Sequence, residues 1–122
     1  MNTQEVAKKL VALCRENKNM EAINSLYADN IVSLEPAGAP AERVEGLEAV
    51  RAKTTQFFEQ VEEFHGWGVS DPVVAGKHFS VSMDMDVTFK GQGRVKVDEI
   101  CVYEVENGKI VKEQFFFPVG PA

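Results

Sequence analysis

Three glutamates stand where the chain could bring carboxyl groups together: Glu35, Glu99 and Glu113. Glu35 follows the short β-branched run Ile31-Val32-Ser33-Leu34 and directly precedes Pro36, so it sits where a strand stops. Glu99 and Glu113 flank a hairpin whose turn reads Glu106-Asn107-Gly108-Lys109. A three-residue loop with Gly108 as a left-handed bulge puts Glu99, Cys101 and Tyr103 on one face with Val111, Glu113, Phe115 and Phe117. That face is mostly apolar and is assigned inward. The other face then carries Lys96, Asp98, Ile100, Val102 and Glu104, with Ile110, Lys112, Gln114 and Phe116 across from them. A two-residue Asn-Gly loop shifts this register by one and sets Asp98 rather than Glu99 opposite Phe117, and the sequence leaves both registers open. A carboxylate walled by Met83, Met85, Phe57, Phe115 and Trp67 loses its hydration, and its pKa rises. If one acid stays ionised while another stays neutral, the pair supplies a base and a hydrogen-bond donor.

Other reactive residue types are less organised. Tyr27 and Tyr103 are candidate polar helpers for the acids. Glu113 can equally form an ion pair with Lys109 or Lys112 nearby, and Glu35 can be a solvated strand end. His65 and His78 are isolated and lack ligand spacing, so no metal site is expected. Cys14 and Cys101 form no CxxC pair and read as free buried thiols of a reducing compartment. Gly91-Gln92-Gly93 has no helix after it and is no phosphate loop, and no cofactor motif is found.

The elements that must position these groups follow from periodicity. Val6, Leu10, Leu13 and Cys14 recur at helical spacing, with Thr3 as a candidate cap and Asn17-Lys18-Asn19 as the break. Met20, Ile23, Leu26 and Tyr27 share one face of a second, short helix ended by Asp29-Asn30. Residues 31–35 are a strand and 36–45 a loop rich in Pro and Gly. Leu47, Val50, Thr54, Phe57, Phe58 and Val61 mark the clearest amphipathic helix, opened by Gly46. Sheet follows: a strand over 64–69, a short one over 73–75, and a strongly alternating one over 81–89, where Val81, Met83, Met85, Val87 and Phe89 point one way. Strands over 94–105 and 110–117 complete the chain. Helices first and a run of antiparallel strands afterwards describe an α+β domain, with a curved sheet that packs on three helices and leaves an apolar pocket at its open end.

The bulk properties agree with a single domain over residues 1–122. Hydrophobic residues make up 44% and charged ones 26%, a globular balance. The net charge of −6 and the lack of a basic run argue against nucleic acid and anionic membranes as partners. No apolar run approaches bilayer length and no signal peptide is read, so a cytoplasmic location is expected. Ile100, Val102, Ile110 and Phe116 form an apolar strip on the outer face, which predicts homodimerisation sheet to sheet.

The element order, with Leu26-Tyr27-Ala28-Asp29-Asn30 before the first strand and Asn107-Gly108-Lys109-Ile110 in the last hairpin, resembles the nuclear-transport-factor-2-like (SnoaL-like) cone-fold superfamily over nearly the whole chain. The resemblance implies a cone-shaped fold with a pocket for a small apolar molecule. It also implies an isomerase- or cyclase-type activity, or a non-catalytic binding or dimeric interaction domain. The nearest pocket pattern is that of ketosteroid isomerase. Leu34-Glu35-Pro36-Ala37-Gly38 matches the position of that family's base, with Glu for Asp. Glu99 falls where its protonated oxygen-binding acid lies. Leu10 occupies the place of its first-helix tyrosine. The pocket is thus expected to be lined by Leu10, Cys14, Tyr27, Phe57, Phe58 and Val61, by Trp67, Met83 and Met85, and by Cys101, Tyr103, Glu113, Phe115 and Phe117.

Overall fold

The computed structural model describes residues 1–119. The chain opens with α1 (Thr3–Arg15) and α2 (Asn19–Leu26), passes into β1 (Tyr27–Leu34) and β2 (Arg43–Glu45), and returns through α3 (Leu47–Gln60). Five strands follow: β3 (Val61–Val69), β4 (Val73–Ala75), β5 (His78–Phe89), β6 (Gly93–Glu106) and β7 (Lys109–Phe116). The sheet order is β2-β1-β7-β6-β5-β3, with β4 also paired to β5. All pairings are antiparallel except one. β1 runs parallel to β7, so the sheet is mixed rather than wholly antiparallel.

Several boundaries differ from the periodicity reading for identifiable reasons. Asn2, not Thr3, caps α1, in a reciprocal capping box with Glu5. Tyr27 does not belong to the second helix. Its backbone is already extended (φ −88°, ψ 141°), and β1 starts there rather than at Ile31. Asn24-Ser25 are poor helix formers, and the tyrosine gains a buried partner by leaving the helix. The loop over 36–45 contains the short edge strand β2, whose Val44 pairs with Ser33. Val61 begins β3, where it pairs with Phe89 instead of completing the helical stripe.

The β6–β7 hairpin combines features of both registers. Glu106 pairs with Lys109 around a two-residue Asn107-Gly108 turn whose φ values, 50° and 76°, are those a type I′ turn requires. The ladder then shifts by one between Glu104 and Val105, with Val111 as the unpaired residue. Beyond this bulge Tyr103 faces Glu113 and Cys101 faces Phe115, the register of the three-residue reading. Ile110 is consequently fully buried instead of lying on the outer strip.

The core joins the inner faces of α1 and α2 to the sheet, through Val6, Leu10, Leu26, Ile31, Phe79, Cys101 and Ile110. Each buried Val, Leu, Ile or Phe side chain of this core contributes about 1.5–3 kcal/mol. α3 is different. Val50 is its one fully buried residue, and Phe57 and Phe58 near its C-terminal end are only half-buried. That end of the helix stands off the sheet, and a cavity opens beneath it.

Candidate functional site

The cavity has a volume of about 910 Å³ and a mostly apolar lining. α3 contributes Lys53, Phe57 and Phe58, the sheet contributes Met83, Met85, Glu99, Tyr103, Glu113 and Phe115, and α1 closes one side with Leu10 and Cys14. At the open end, Phe57 meets Phe58 and Phe89 edge to face, Phe58 meets Phe64 at a tilt, and Phe64 meets Trp67 edge to face, with centroids 5.5–5.9 Å apart. Trp67 is 42% exposed and its indole N–H donates to the Arg15 carbonyl at 3.0 Å, which ties the mouth to the end of α1.

The structure brings all three glutamates to this cavity. Strand alternation explains the placement. Ile31 and Ser33 share one face of β1, Glu35 follows directly after the strand's last residue, and Ser33 pairs directly with Glu113 on β7. Glu113 is buried, and it accepts hydrogen bonds from the Tyr27 hydroxyl and, at 2.7 Å, from Ser33 Oγ. It makes no pair with Lys109 or Lys112 among the described residues. Burial pushes its carboxyl above the usual carboxylate range, against the pull of its two donors. The Tyr27 hydroxyl is raised as well, by burial and by the adjacent Glu113.

Lys53 was not singled out by the sequence reading, yet it completes this polar chain. Its Nζ donates to Ser33 Oγ at 2.6 Å and to Glu35 Oε2 at 2.9 Å, and it lies 5.2 Å from the centroid of the Phe115 ring. Both members of the Lys53–Glu35 pair keep less than a fifth of their side-chain exposure. A signal was present: Lys53 falls three residues after Val50 and four before Phe57, on the apolar stripe itself. Ser33 was equally readable, two residues before Glu35 on one strand face.

Glu99 is the least engaged acid. Its one side-chain partner is the Cys101 thiol, at 3.6 Å. Desolvation lifts its pKa from 4.5 to about 7, with Glu113 and Glu35 adding repulsion and Lys53 opposing it. The Cys14 thiol is pushed up to about 12, by burial first and by Glu113 second. The Cys101 thiol rises further for the same main reason.

Two expected lining residues are elsewhere. Val61 does not line the cavity, because the helix ends at Gln60 and Val61 enters the strand ladder. Cys101 is fully buried in the core rather than on the cavity surface, and its thiol donates to Glu99. Phe117 lines the cavity from the end of the last strand. Among the described residues, no cluster of His, Cys, Asp or Glu could hold a metal ion, and no helix is long and apolar enough to cross a membrane.

Residues 1–117 match the SnoaL-like domain family. The chain belongs to that family. A SnoaL-like polyketide cyclase from Mesorhizobium loti, provisionally so described and also labelled a carbohydrate phosphatase, is 38% identical, with 95% of this chain and 99% of that one covered at a TM-score of 0.87. An NTF2-like protein of unknown function from Burkholderia pseudomallei shares the fold at 15% identity and a TM-score of 0.78, covering 97% and 92%. A protein with a ketosteroid isomerase-like fold from Catenulispora acidiphila, in complex with trimethylamine, does so at 17% identity and 0.72, covering 94% and 86%. No curated protein matches the chain in sequence. This SnoaL-like chain therefore has the cone fold of its family, and its chemistry must be argued from its own side chains.

Proposed function

We propose that this SnoaL-like protein binds a small apolar carbonyl compound and moves a proton on it, as an isomerase- or cyclase-type enzyme. The observation that carries the reading is Glu99: a carboxyl with a single weak partner, facing an apolar cavity, with its pKa lifted to about 7. A carboxylate so placed takes a proton from the carbon next to a carbonyl, leaving an enolate, and the resulting acid returns the proton to another carbon. At neutral pH both forms are present. The resemblance to ketosteroid isomerase implies Glu35 as the base and Glu99 as the oxygen partner. The ion pair with Lys53 engages the Glu35 carboxylate and favours Glu99 as the mobile acid–base group. Glu113 and Tyr27, buried and mutually hydrogen-bonded, hold the wall behind it.

The test is deuterium exchange at the carbon beside the carbonyl of 2-tetralone, followed by NMR in heavy water. Exchange above the buffer rate is expected, with a bell or step near pH 7 and a loss of roughly a hundredfold or more in Glu99→Gln. Binding of the ketone with no exchange would overturn catalysis and favour the second reading, a non-catalytic hydrophobic-ligand domain. Leu10 supports that reading, since it offers no hydroxyl where the isomerases carry one.

The outer sheet face bears the Ile100–Phe116 cross-strand pair, each 49% exposed. This pair, with half-buried Val102, supports a homodimer formed through the sheet. The two free thiols support a reducing, cytoplasmic setting.

A further inference from the structure

An ammonium group has three N–H donors. Two of Lys53's are used, on Ser33 Oγ and Glu35 Oε2. The third has no polar acceptor among the described residues, and the group sits on the cavity wall beside the Phe115 ring. A partly buried cation, fixed by two partners and with a donor to spare on the cavity wall, is arranged to receive an oxygen that arrives with the ligand. Phe115 offers that ligand a flat surface next to the ammonium, and Phe57 with Met83 and Met85 extends the apolar wall.

We propose that Lys53 is the oxygen-binding residue of the cavity, and that its ligands are planar, apolar molecules with one oxygen able to carry negative charge: an enolisable ketone, an enol or a phenol. Glu35 is then a positioning residue, which holds the Lys53 ammonium in place through the pair at 2.9 Å. This assignment rests on the cavity being the ligand site. It differs from the isomerase pattern, in which hydroxyl and carboxyl donors hold the oxygen, and it explains how Leu10 can replace a tyrosine without leaving the oxygen unbound.

The groups facing Lys53 are Ser33 on β1, Glu35 just after it, Glu113 on β7 and Glu99 on β6. An anionic oxygen at Lys53 is repelled by Glu99 once that carboxyl ionises. Anion binding therefore weakens as pH rises through about 7, the value to which Glu99 is lifted.

The experiment compares 2,4-dinitrophenol, a phenolate at about pH 6, with 2,4-dinitroanisole, which has the same ring and no ionisable oxygen, by isothermal calorimetry. The phenolate is expected to bind the wild type roughly tenfold to a hundredfold more tightly, the range of a hydrogen bond to a charged group. Lys53→Met should erase that preference while still binding the anisole, and Lys53→Arg should keep most of it. Glu35→Gln should reduce the preference without abolishing it. Equal binding of the two probes by wild type, with the anisole bound, overturns the role of Lys53 and leaves the pocket standing. Failure of both probes to bind a folded wild-type protein overturns the pocket as well. If Lys53→Met does not fold, the Lys53→Arg comparison and the pH dependence in wild type decide the question: a preference unchanged from about pH 6 to pH 8 refutes the assignment.

Discussion

Replacing Glu99 with Gln should make the protein more stable above neutral pH and leave it unchanged in acid. The folded-state pKa of Glu99 is raised, so the folded protein holds this proton more tightly than the unfolded chain does. Stability linked to the group is fully present below the ordinary value of 4.5, declines as pH rises, and has been lost once pH passes about 7. The interval between those values, at about 1.4 kcal/mol for each tenfold change in proton affinity, sets a ceiling of about 3.5 kcal/mol. Solvent reaching the half-buried carboxylate lowers this, so about 1–3 kcal/mol is expected. Gln keeps an oxygen for the Cys101 thiol and adds no charge, so the substitution removes the desolvation penalty with little change in packing. Urea unfolding of wild type and Glu99→Gln at several pH values between about 4 and 8 gives the difference directly; the subtraction cancels titrating groups that do not interact with Glu99, and relief of the repulsion from Glu113 and Glu35 is part of the gain. A difference that stays flat with pH, or a variant less stable at high pH, would refute the claim that the cavity desolvates this acid. A positive result would show an acid retained at a cost in stability, as a residue kept for chemistry is expected to be.

Removing the Glu113 carboxyl by Glu113→Ala leaves the Tyr27 hydroxyl buried without its acceptor and should cost about 3 kcal/mol or more in denaturant unfolding, whereas Tyr27→Phe should cost about 1–2 kcal/mol. Phe116→Glu should turn a dimer into a monomer in sedimentation velocity without altering the circular dichroism spectrum; a wild-type monomer at micromolar concentration would count against the interface. Neither Cys14 nor Cys101 should react with an aromatic disulfide reagent at about pH 8 in the native state, and both should react after denaturation, because burial keeps the thiols protonated. Ligands entering the cavity should change the emission of Trp67, which lines its mouth; an unchanged spectrum at calorimetric saturation would place the ligand elsewhere.

Much of the fold was readable because sheet alternation and helical spacing are local. Val81, Met83, Met85 and Val87 alternate cleanly, and their inward placement fixes that of Cys101 and Glu99 across the ladder. The inward direction of Glu113, Phe115 and Phe117 was readable too, although for a reason different from the one inferred. What failed to show was anything that depends on two distant segments meeting. No local pattern reports that β1 lies parallel to β7, which is what brings Ser33 to Glu113. Tyr27 looked helical because its spacing from Ile23 fits a helix, while its partner stands 86 residues away. Lys53 was passed over because a lysine is normally read as solvent-facing, and only a carboxylate on another strand makes its burial tolerable.

The bulge at Val111 divides the last strand into two segments of independent phase. From the turn to Ile110 the alternation is set by Asn107-Gly108. From Lys112 onward it is set by packing on β6 and β1. The single unpaired residue absorbs the mismatch, so the cavity wall does not inherit its chemistry from the turn. A hairpin turn is among the parts of a protein that tolerate changes in length most readily. In a strand without such a joint, one residue gained or lost there would exchange Glu113 for Lys112 on the inner face. Here the joint insulates the acids from the loop, and the loop is free to diverge while the pocket keeps its composition.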